Sequence, residues 1–432
     1  MKKQRLYRLC LTLLLLVCAQ GAALAQVSRV VDGGVVYEPD SDPDDWDWTI
    51  TGIVPDDPSF PADGIITLKS SIEVDVFGDG NKEDVFVTEI TNRAFNNQNA
   101  IKGVTIEEGI EVIGEEAFNG CANLTGLVLP STIENVGRNA FGWLRWVDCR
   151  NVKEENWSQD LLAPYDVMSP EDLGDYNLTL YYMPSWCNKD NYNYTNAVLT
   201  DDKGNLTCPE FTFSRNMDYC VPYAFTAYKV TIDPEFEQDP YAYSVCLPFS
   251  MPVPTDAKVY ELRQNDNLDV YFGLISGDMA AYTPYLIVAE TGYVEVCFER
   301  ETLIPTTEDA ASKLSSKTVS DVTIHGTFKR INNEEAAGNK YYVLQNENKW
   351  KLVGPNTAVG VPPFRTYLTL SGSQPANFQI GFEDATEGIH LTEITEDHHG
   401  ADAWYTLHGQ RLSSSPSTSG IYIHGDKKTM VR

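Results

Sequence analysis

The chain has 432 residues and a formal net charge of −30 at pH 7, from 62 Asp plus Glu against 32 Lys plus Arg. That balance argues against nucleic acid and anionic membranes as partners, since both need basic patches. A mature length of about 400 residues suggests two or three domains.

Residues 1–25 read as a secretion signal. Lys2, Lys3, Arg5 and Arg8 give a positive start, and Leu9 to Ala19 is an apolar run too short to span a bilayer. Ala23-Leu24-Ala25 is a small-x-small cleavage site, with the cut between Ala25 and Gln26. Removal leaves a mature net charge of −34, because the segment carries four basic residues and no acidic ones. No later segment is long and apolar enough to cross a bilayer as a helix. The mature cysteines are Cys121, Cys149, Cys187, Cys208, Cys220, Cys246 and Cys297. Their number is odd and none forms a close metal-type pair, so they are expected to be mostly reduced and buried.

Residues 26–62 form an acidic, turn-rich leader, expected to be flexible and solvated. Asp40, Asp42 and Asp44 have calcium-like spacing, but Pro43 interrupts them and no glycine supplies the tight turn. Ile65 to Val76 predicts a strand pair. Gly78-Asp79-Gly80-Asn81 then predicts a hairpin turn between Ile72–Val76 and Asp84–Val87. Asp79, Asn81, Glu83 and Asp84 are a possible calcium set, although a plain turn accounts for the same residues.

From Val87 to Cys149 the chain repeats itself every 23 residues. Ile90, Ile113 and Val136 recur at that spacing, as do Ala94-Phe95, Ala117-Phe118 and Ala140-Phe141. Val104 and Ile106 return as Leu127 and Leu129. A period in the twenties predicts a solenoid, each repeat burying its apolar face against its neighbours. Leu127 and Leu129 should point inward from a short strand, and Val128 outward.

The unit Ile113-Gly114-x-x-Ala117-Phe118-x-x-Cys121-x-x-Leu124-x-x-Leu127-x-Leu129-Pro130 resembles the BspA-type leucine-rich repeat of surface proteins from Gram-negative anaerobes. The first repeat departs from the pattern, with Asn92 where glycine is usual and Gln98 where cysteine is usual. The third loses three residues after Phe141, so that Leu144, Val147 and Cys149 replace Leu124, Leu127 and Leu129. The resemblance also implies a terminal strand, here Thr179-Leu180-Tyr181-Tyr182-Met183-Pro184, followed by Trp186, Tyr192 and Tyr194. The repeat domain with its caps is therefore expected to span 63–200.

Residues 208–385 alternate short Val-, Tyr-, Phe- and Thr-rich runs with Pro, Gly and Asp turns, which predicts an antiparallel β-sandwich with one helix, Glu308–Ser315. Segments such as Ser244–Phe249 and Pro363–Leu368 resemble a β-domain found downstream of BspA-type repeats. A polar linker follows at 386–402. The end, 403–432, predicts a small β-module similar to C-terminal tails of exported proteins, some of which are type IX sorting signals. The expected fold is thus mainly β: a short leucine-rich-repeat solenoid, an antiparallel β-sandwich and a small C-terminal β-module.

No catalytic set is legible. The six histidines fall in the C-terminal third, and His398-His399 lie in the linker. No nucleophile elbow or phosphate-cradling loop is present. A repeat face offers binding instead, since its outward residues vary without disturbing the core. The candidates are Thr105 and Val128, with the aromatics Trp143, Trp146, Tyr181, Tyr182 and Trp186. The resemblance implies a non-catalytic, exported cell-surface protein that contacts a protein partner such as host matrix or neighbouring cells. The alternative is a glycan-binding accessory protein with its site in the β-domain. No cofactor is implied beyond possible calcium.

Overall fold

The computed structural model describes residues 27–40, 47–76, 78–142, 144–157, 178–188, 196–215, 217–237, 242–266, 269–289, 293–345, 349–355, 357–372, 375–383 and the strands within 404–431. The signal with its cleavage site at Ala25 and Gln26, the 386–402 linker and Trp143 lie outside the described residues. The chain divides into two units: 1–173 with 188–193, and 174–187 with 194–432.

The first unit contains β1 (Val30–Asp32), β2 (Val35–Pro39), β3 (Trp48–Ile53), β4 (Ile65–Leu68), β5 (Ser71–Val74), β6 (Glu83–Ile90), β7 (Gly103–Ile106), β8 (Val112–Ile113), β9 (Gly126–Val128), β10 (Asn135–Val136) and β11 (Trp146–Asp148). Two parallel ladders arise from them. In one, β3, β6, β8 and β10 succeed each other, with Ile50 opposite Ile90, Ile90 opposite Ile113 and Ile113 opposite Val136. In the other, β4 runs parallel to β7, β7 lies beside β9, and β9 runs parallel to β11.

The Ala-Phe corners connect the ladders and bond turn to turn. The Phe95 N–H donates to the Ala117 carbonyl at 2.8 Å, and the Phe118 N–H to the Ala140 carbonyl at 2.9 Å. Each turn thus satisfies its backbone groups on the next, which holds the 23-residue spacing. Arg93, Glu116 and Asn139 share a left-handed conformation at that same spacing, with φ of 60°, 55° and 58°. Inside, Ile90, Phe95, Ile113, Ala117 and Phe118 are fully buried. The rings of Phe95 and Phe118 stack at 5.1 Å. The shortened third repeat is as read from the sequence: Leu127 pairs with Val147, and Leu144, Val147 and Cys149 are buried.

Three expectations need correction. The residue standing 23 before Gly114 is Thr91, not Asn92. An added Cβ at Gly114 would overlap the backbone of Thr91 and Asn92, whereas Thr91 itself lies against β3 and donates its hydroxyl to the Ile50 carbonyl at 3.1 Å. The leader 26–62 is not merely solvated. Val35, Val36, Tyr37, Trp48 and Ile50 are buried, and β1 to β3 extend the first ladder and close the end of its core. Leu180–Tyr182 and Ala197–Thr200, expected to end the repeat domain, belong to the second unit.

That unit contains β12 (Leu180–Tyr182), β13 (Ala197–Thr200), β14 (Leu206–Ser214), β15 (Phe225–Glu237), β16 (Tyr243–Val245), β17 (Ala257–Asp266), β18 (Asp269–Leu274), β19 (Tyr285–Ala289), β20 (Tyr293–Ile304), α1 (Thr307–Lys313), β21 (Ser316–Val319), β22 (Val322–Gly326), α2 (Asn333–Gly338), β23 (Tyr342–Gln345), β24 (Lys349–Leu352), β25 (Thr366–Leu370) and β26 (Asn377–Glu383). One sheet runs β12-β13-β14-β15-β20, and a larger one runs β16-β19-β17-β18-β26-β24-β23-β25-β22-β21. Most neighbours are antiparallel, but β12–β13, β14–β15 and β18–β26 are parallel, so the sandwich is mixed. The larger sheet curls until its edge strand β16 reaches the start of β25. There the Cys246 N–H donates to the Phe364 carbonyl at 2.9 Å, and the Thr366 N–H to Ser244 Oγ at 3.1 Å.

Leu262, Phe272, Leu286, Ile324, Tyr342, Trp350 and Leu368 fill the inside of the curl. An aromatic seam ties it to the smaller sheet: Phe213 meets Phe364 at 4.5 Å and Phe249 at 5.2 Å, both edge-on. Helix α1 falls where the sequence predicts it, with Thr306 accepting from the Asp309 N–H at 3.1 Å. Helix α2 was not predicted. Its start is set by Asn332, whose side chain accepts from the Glu335 N–H at 2.9 Å. At the C-terminus β27 (Trp404–Thr406), β28 (Arg411–Leu412), β29 (Gly420–His424) and β30 (Lys427–Val431) form a sheet in the order β28-β27-β29-β30, one strand more than the three runs expected.

Candidate functional site

The second ladder of the repeats presents an open face. Alternation along each strand sends Ile66, Leu68, Ile106, Leu127 and Leu129 inward, all buried, and their neighbours outward. Register then sets the outward residues in two rows. Ile65 stands opposite Gly103 and Thr67 opposite Thr105. One repeat later, 23 residues on, Gly126 and Val128 take the same places. Trp146 stands opposite Gly126, and Asp148 opposite Val128.

The first row is therefore Ile65, Gly103, Gly126 and Trp146. It is a shallow apolar trough with Ile65 at one end, partly exposed Gly103 as its floor, and the Trp146 indole seated over buried Gly126 at the other. Ile65 is 51% exposed, and its Cγ1 would sit 3.3 Å from a Cβ placed on Gly103. The Trp146 indole lies over Gly126, where an added Cβ would overlap the ring. The second row is Thr67, Thr105, Val128 and Asp148. Thr105 is exposed and Val128 is 36% exposed. Asp148 closes the row as a structural residue: Arg150 clamps its carboxylate with Nε and Nη2 at 2.9 and 2.6 Å.

Carboxylates beside the face staple the turns together. Glu107 accepts from the Ser70 N–H at 3.0 Å, and Glu108 from the Ser131 N–H at 3.0 Å and the Ser131 hydroxyl at 2.8 Å. On the other side Arg93 pairs with Glu116 at 2.7 Å and Arg138 with Glu115 at 2.9 Å, each pair 23 residues apart. These pairs are largely exposed and set register more than stability.

The structure brings Thr105, Val128 and Trp146 together on one face. Tyr181 and Tyr182 are corrections to the expected binding set. They are 7% and 0% exposed, so both faces of this three-residue strand are covered. Tyr182 donates its hydroxyl to the Tyr223 carbonyl at 2.9 Å and meets the rings of Tyr223 and Phe225 edge-on. Trp186 is half-buried and, like the two tyrosines, belongs to the second unit. Sequence reasoning missed Ile65, Gly103 and Gly126. The signal was available, since the spacing that relates Thr105 to Val128 also relates Gly103 to Gly126.

Of the expected calcium residues, Asp79 and Asn81 sit in the turn after β5, whereas Glu83 and Asp84 begin β6 and pair with Val74 and Glu73. The Asp75 carboxylate accepts from the N–H groups of Asp79 and Gly80 at 3.0 and 2.9 Å, and Asp79 accepts from the Asn81 N–H at 2.9 Å. That last bond holds the Asp79 carboxyl below its usual range. No group of three metal-ligating residues converges among the described residues. His325 is a packed residue: its Nε2 bonds the Thr369 hydroxyl at 2.8 Å and its ring stacks on Tyr367 at 5.0 Å. Among the described residues no helix is long and apolar enough to cross a membrane.

Two parallel ladders joined by corners at a fixed 23-residue pitch define a leucine-rich-repeat solenoid. Residues 85–152 match the family described as BspA type Leucine rich repeat region, in six copies. Repeats of this kind point to a protein-interaction role at the cell surface. Solved structures with similarity include a leucine-rich repeat protein from Bacteroides capillosus, at 23% identity over 33% of this chain and 89% of that one, with a TM-score of 0.19. A leucine rich cell surface protein from Faecalibacterium prausnitzii is 15% identical over 44% of this chain and 65% of that one, TM-score 0.24. A leucine-rich repeat protein from Bacteroides ovatus is 13% identical over 43% and 65%, TM-score 0.21. The chain thus spans just under two thirds of the latter two proteins. No curated protein matches the chain.

Proposed function

We propose that this is an exported cell-surface protein that captures a protein partner on the outward face of its second repeat ladder, in adhesion to host matrix or to neighbouring cells. The observation that carries the reading is the trough of Ile65, Gly103, Gly126 and Trp146 beside exposed Val128. An apolar recess on a rigid ladder, walled by an indole, has the composition of an interface centre. Gly103 keeps the recess open beside Ile65, while Gly126 seats the indole. The polar residues around it are engaged in stapling the repeats, which keeps the face fixed before any partner arrives.

Export rests on the character of residues 1–25, and sorting or anchoring by the four-stranded C-terminal module rests on its resemblance to known tails. The role is taken as non-catalytic, in keeping with the repeat resemblance; His325 bonds the Thr369 hydroxyl, and Cys297 accepts from the Thr231 hydroxyl at 3.5 Å.

The test is capture by purified residues 26–432 on an array of extracellular matrix proteins, with and without calcium. Saturable capture of a matrix protein, lost when Trp146 is changed to Ala, supports the reading. Capture that is indifferent to Trp146, or absent across the array, contradicts it. Calcium dependence would bring the Asp79 turn into the account.

A further inference from the structure

A cavity of about 580 Å³ lies in the second unit, where β16 meets β23, β24 and the chain leading into β25. Its polar lining is Tyr243, Ser244, Gln345, Lys351, Arg365 and Thr366, and exposed Pro362 marks its rim. No Asp or Glu lines it among the described residues, in a chain where acidic residues outnumber basic ones 62 to 32.

The two cations in it lack counter-charges. Arg365 donates Nη1 to the Ser244 carbonyl at 3.3 Å and lies 5.0 Å from the centre of the Tyr243 ring, with no carboxylate partner among the described residues. The Lys351 ammonium makes no hydrogen bond or ion pair among the described residues. Thr366 is 1% exposed, and its hydroxyl is buried without a partner. Burial lowers the Arg365 guanidinium from its ordinary value. A guanidinium taken from water without a carboxylate is costly to the fold, and a hydroxyl left unpaired adds to that cost. Such groups converging on an open cavity are arranged for something that is not part of the chain.

The chemistry of the missing group can be read from its surroundings. A planar guanidinium fork and a lysine that line one cavity match a carboxylate. A bare inorganic anion would leave most of the volume empty, whereas pockets of this size hold small organic molecules. Ser244, Gln345 and Thr366 supply neutral donors and acceptors around the charged end, which suits hydroxyl groups.

We propose that this cavity binds a carboxylate-bearing sugar, a uronic or sialic acid, with Arg365 and Lys351 on the carboxylate and Ser244, Gln345 and Thr366 on the hydroxyls. The site is independent of the repeat face and stands or falls without it.

Isothermal titration of residues 26–432 with glucuronic acid, N-acetylneuraminic acid, glucose and inorganic phosphate tests it. Binding of at least one acidic sugar is expected, with glucose and phosphate weaker by about tenfold or more. Arg365→Gln and Lys351→Gln should each weaken the acidic sugar by about tenfold. Lys351→Gln should leave the melting temperature unchanged, since Lys351 has no partner to lose, and so keeps the test readable if Arg365→Gln unfolds. Glucose or phosphate binding as tightly as the acids overturns the proposal. So does unaltered affinity in Lys351→Gln, or silence with every acidic sugar.

Discussion

Trp146 lies flat against Gly126 on the neighbouring rung of the ladder, in the space a side chain at 126 would occupy. The pair joins architecture to function. The glycine admits the indole to the sheet surface, and the indole then forms one wall of the trough.

Gly126→Ala should therefore lift the indole from its seat. The expected loss is about 1–3 kcal/mol by urea denaturation, the usual range for overpacking. Trp146→Ala should remove most of that penalty, so the double variant will be more stable than the two single losses predict. Simple additivity would mean that the ring and the glycine do not meet.

Phe118 is fully buried and stacked on Phe95. Phe118→Ala should cost about 3–5 kcal/mol, the usual range for emptying a fully buried phenylalanine site. The loss should appear in the transition of the repeat unit, followed by circular dichroism. A loss under about 1 kcal/mol would contradict the packing described.

His325 gives the fold a pH dependence. Burial lowers its pKa below the ordinary value of 6.5, so on acidification the unfolded chain takes up the proton first. The neutral ring is favoured in the folded state, and stability falls as pH drops below 6.5 toward the lower folded value. His325→Gln, which keeps a partner for the Thr369 hydroxyl, should flatten that part of the stability curve. An unchanged slope would show that the imidazole is not desolvated.

The thiols should separate by burial. Cys297 is exposed, whereas burial raises Cys121 to about 11 and Cys208 to about 12. Cys121 also donates its thiol to the Phe95 carbonyl. Alkylation of the native protein at pH 8, read by mass spectrometry, should label Cys297 first and leave Cys121 and Cys208 intact. Early labelling of Cys121 would mean that the repeat core is open.

Much of the solenoid was legible because its period is a spacing between residues, and spacing survives without coordinates. Ile90, Ile113 and Val136 fixed the ladder, and the three-residue loss after Phe141 fixed the pairing of Leu127 with Val147. Composition misled at the N-terminus. The acidic residues between Glu38 and Asp57 drew the eye from Val35, Tyr37, Trp48 and Ile50, whose burial closes the end of the ladder. Tyr181 and Tyr182 looked like exposed aromatics because no single-strand pattern shows that both faces of a strand will be covered. The cavity was illegible for a different reason. Ser244, Lys351 and Arg365 are more than a hundred residues apart at the extremes, and only the curl of the larger sheet brings β16 to β25.

The central claim is that the outward face of the second ladder meets the partner. It is tested most directly by Val128→Arg with Thr105→Arg, two exposed positions whose change leaves the core untouched. The measurement is surface-plasmon capture of the matrix protein identified on the array, alongside the melting temperature of the variant. The account predicts an unchanged melting temperature and at least about a tenfold loss of affinity. An undiminished affinity in a folded variant would place the contact elsewhere and contradict the account.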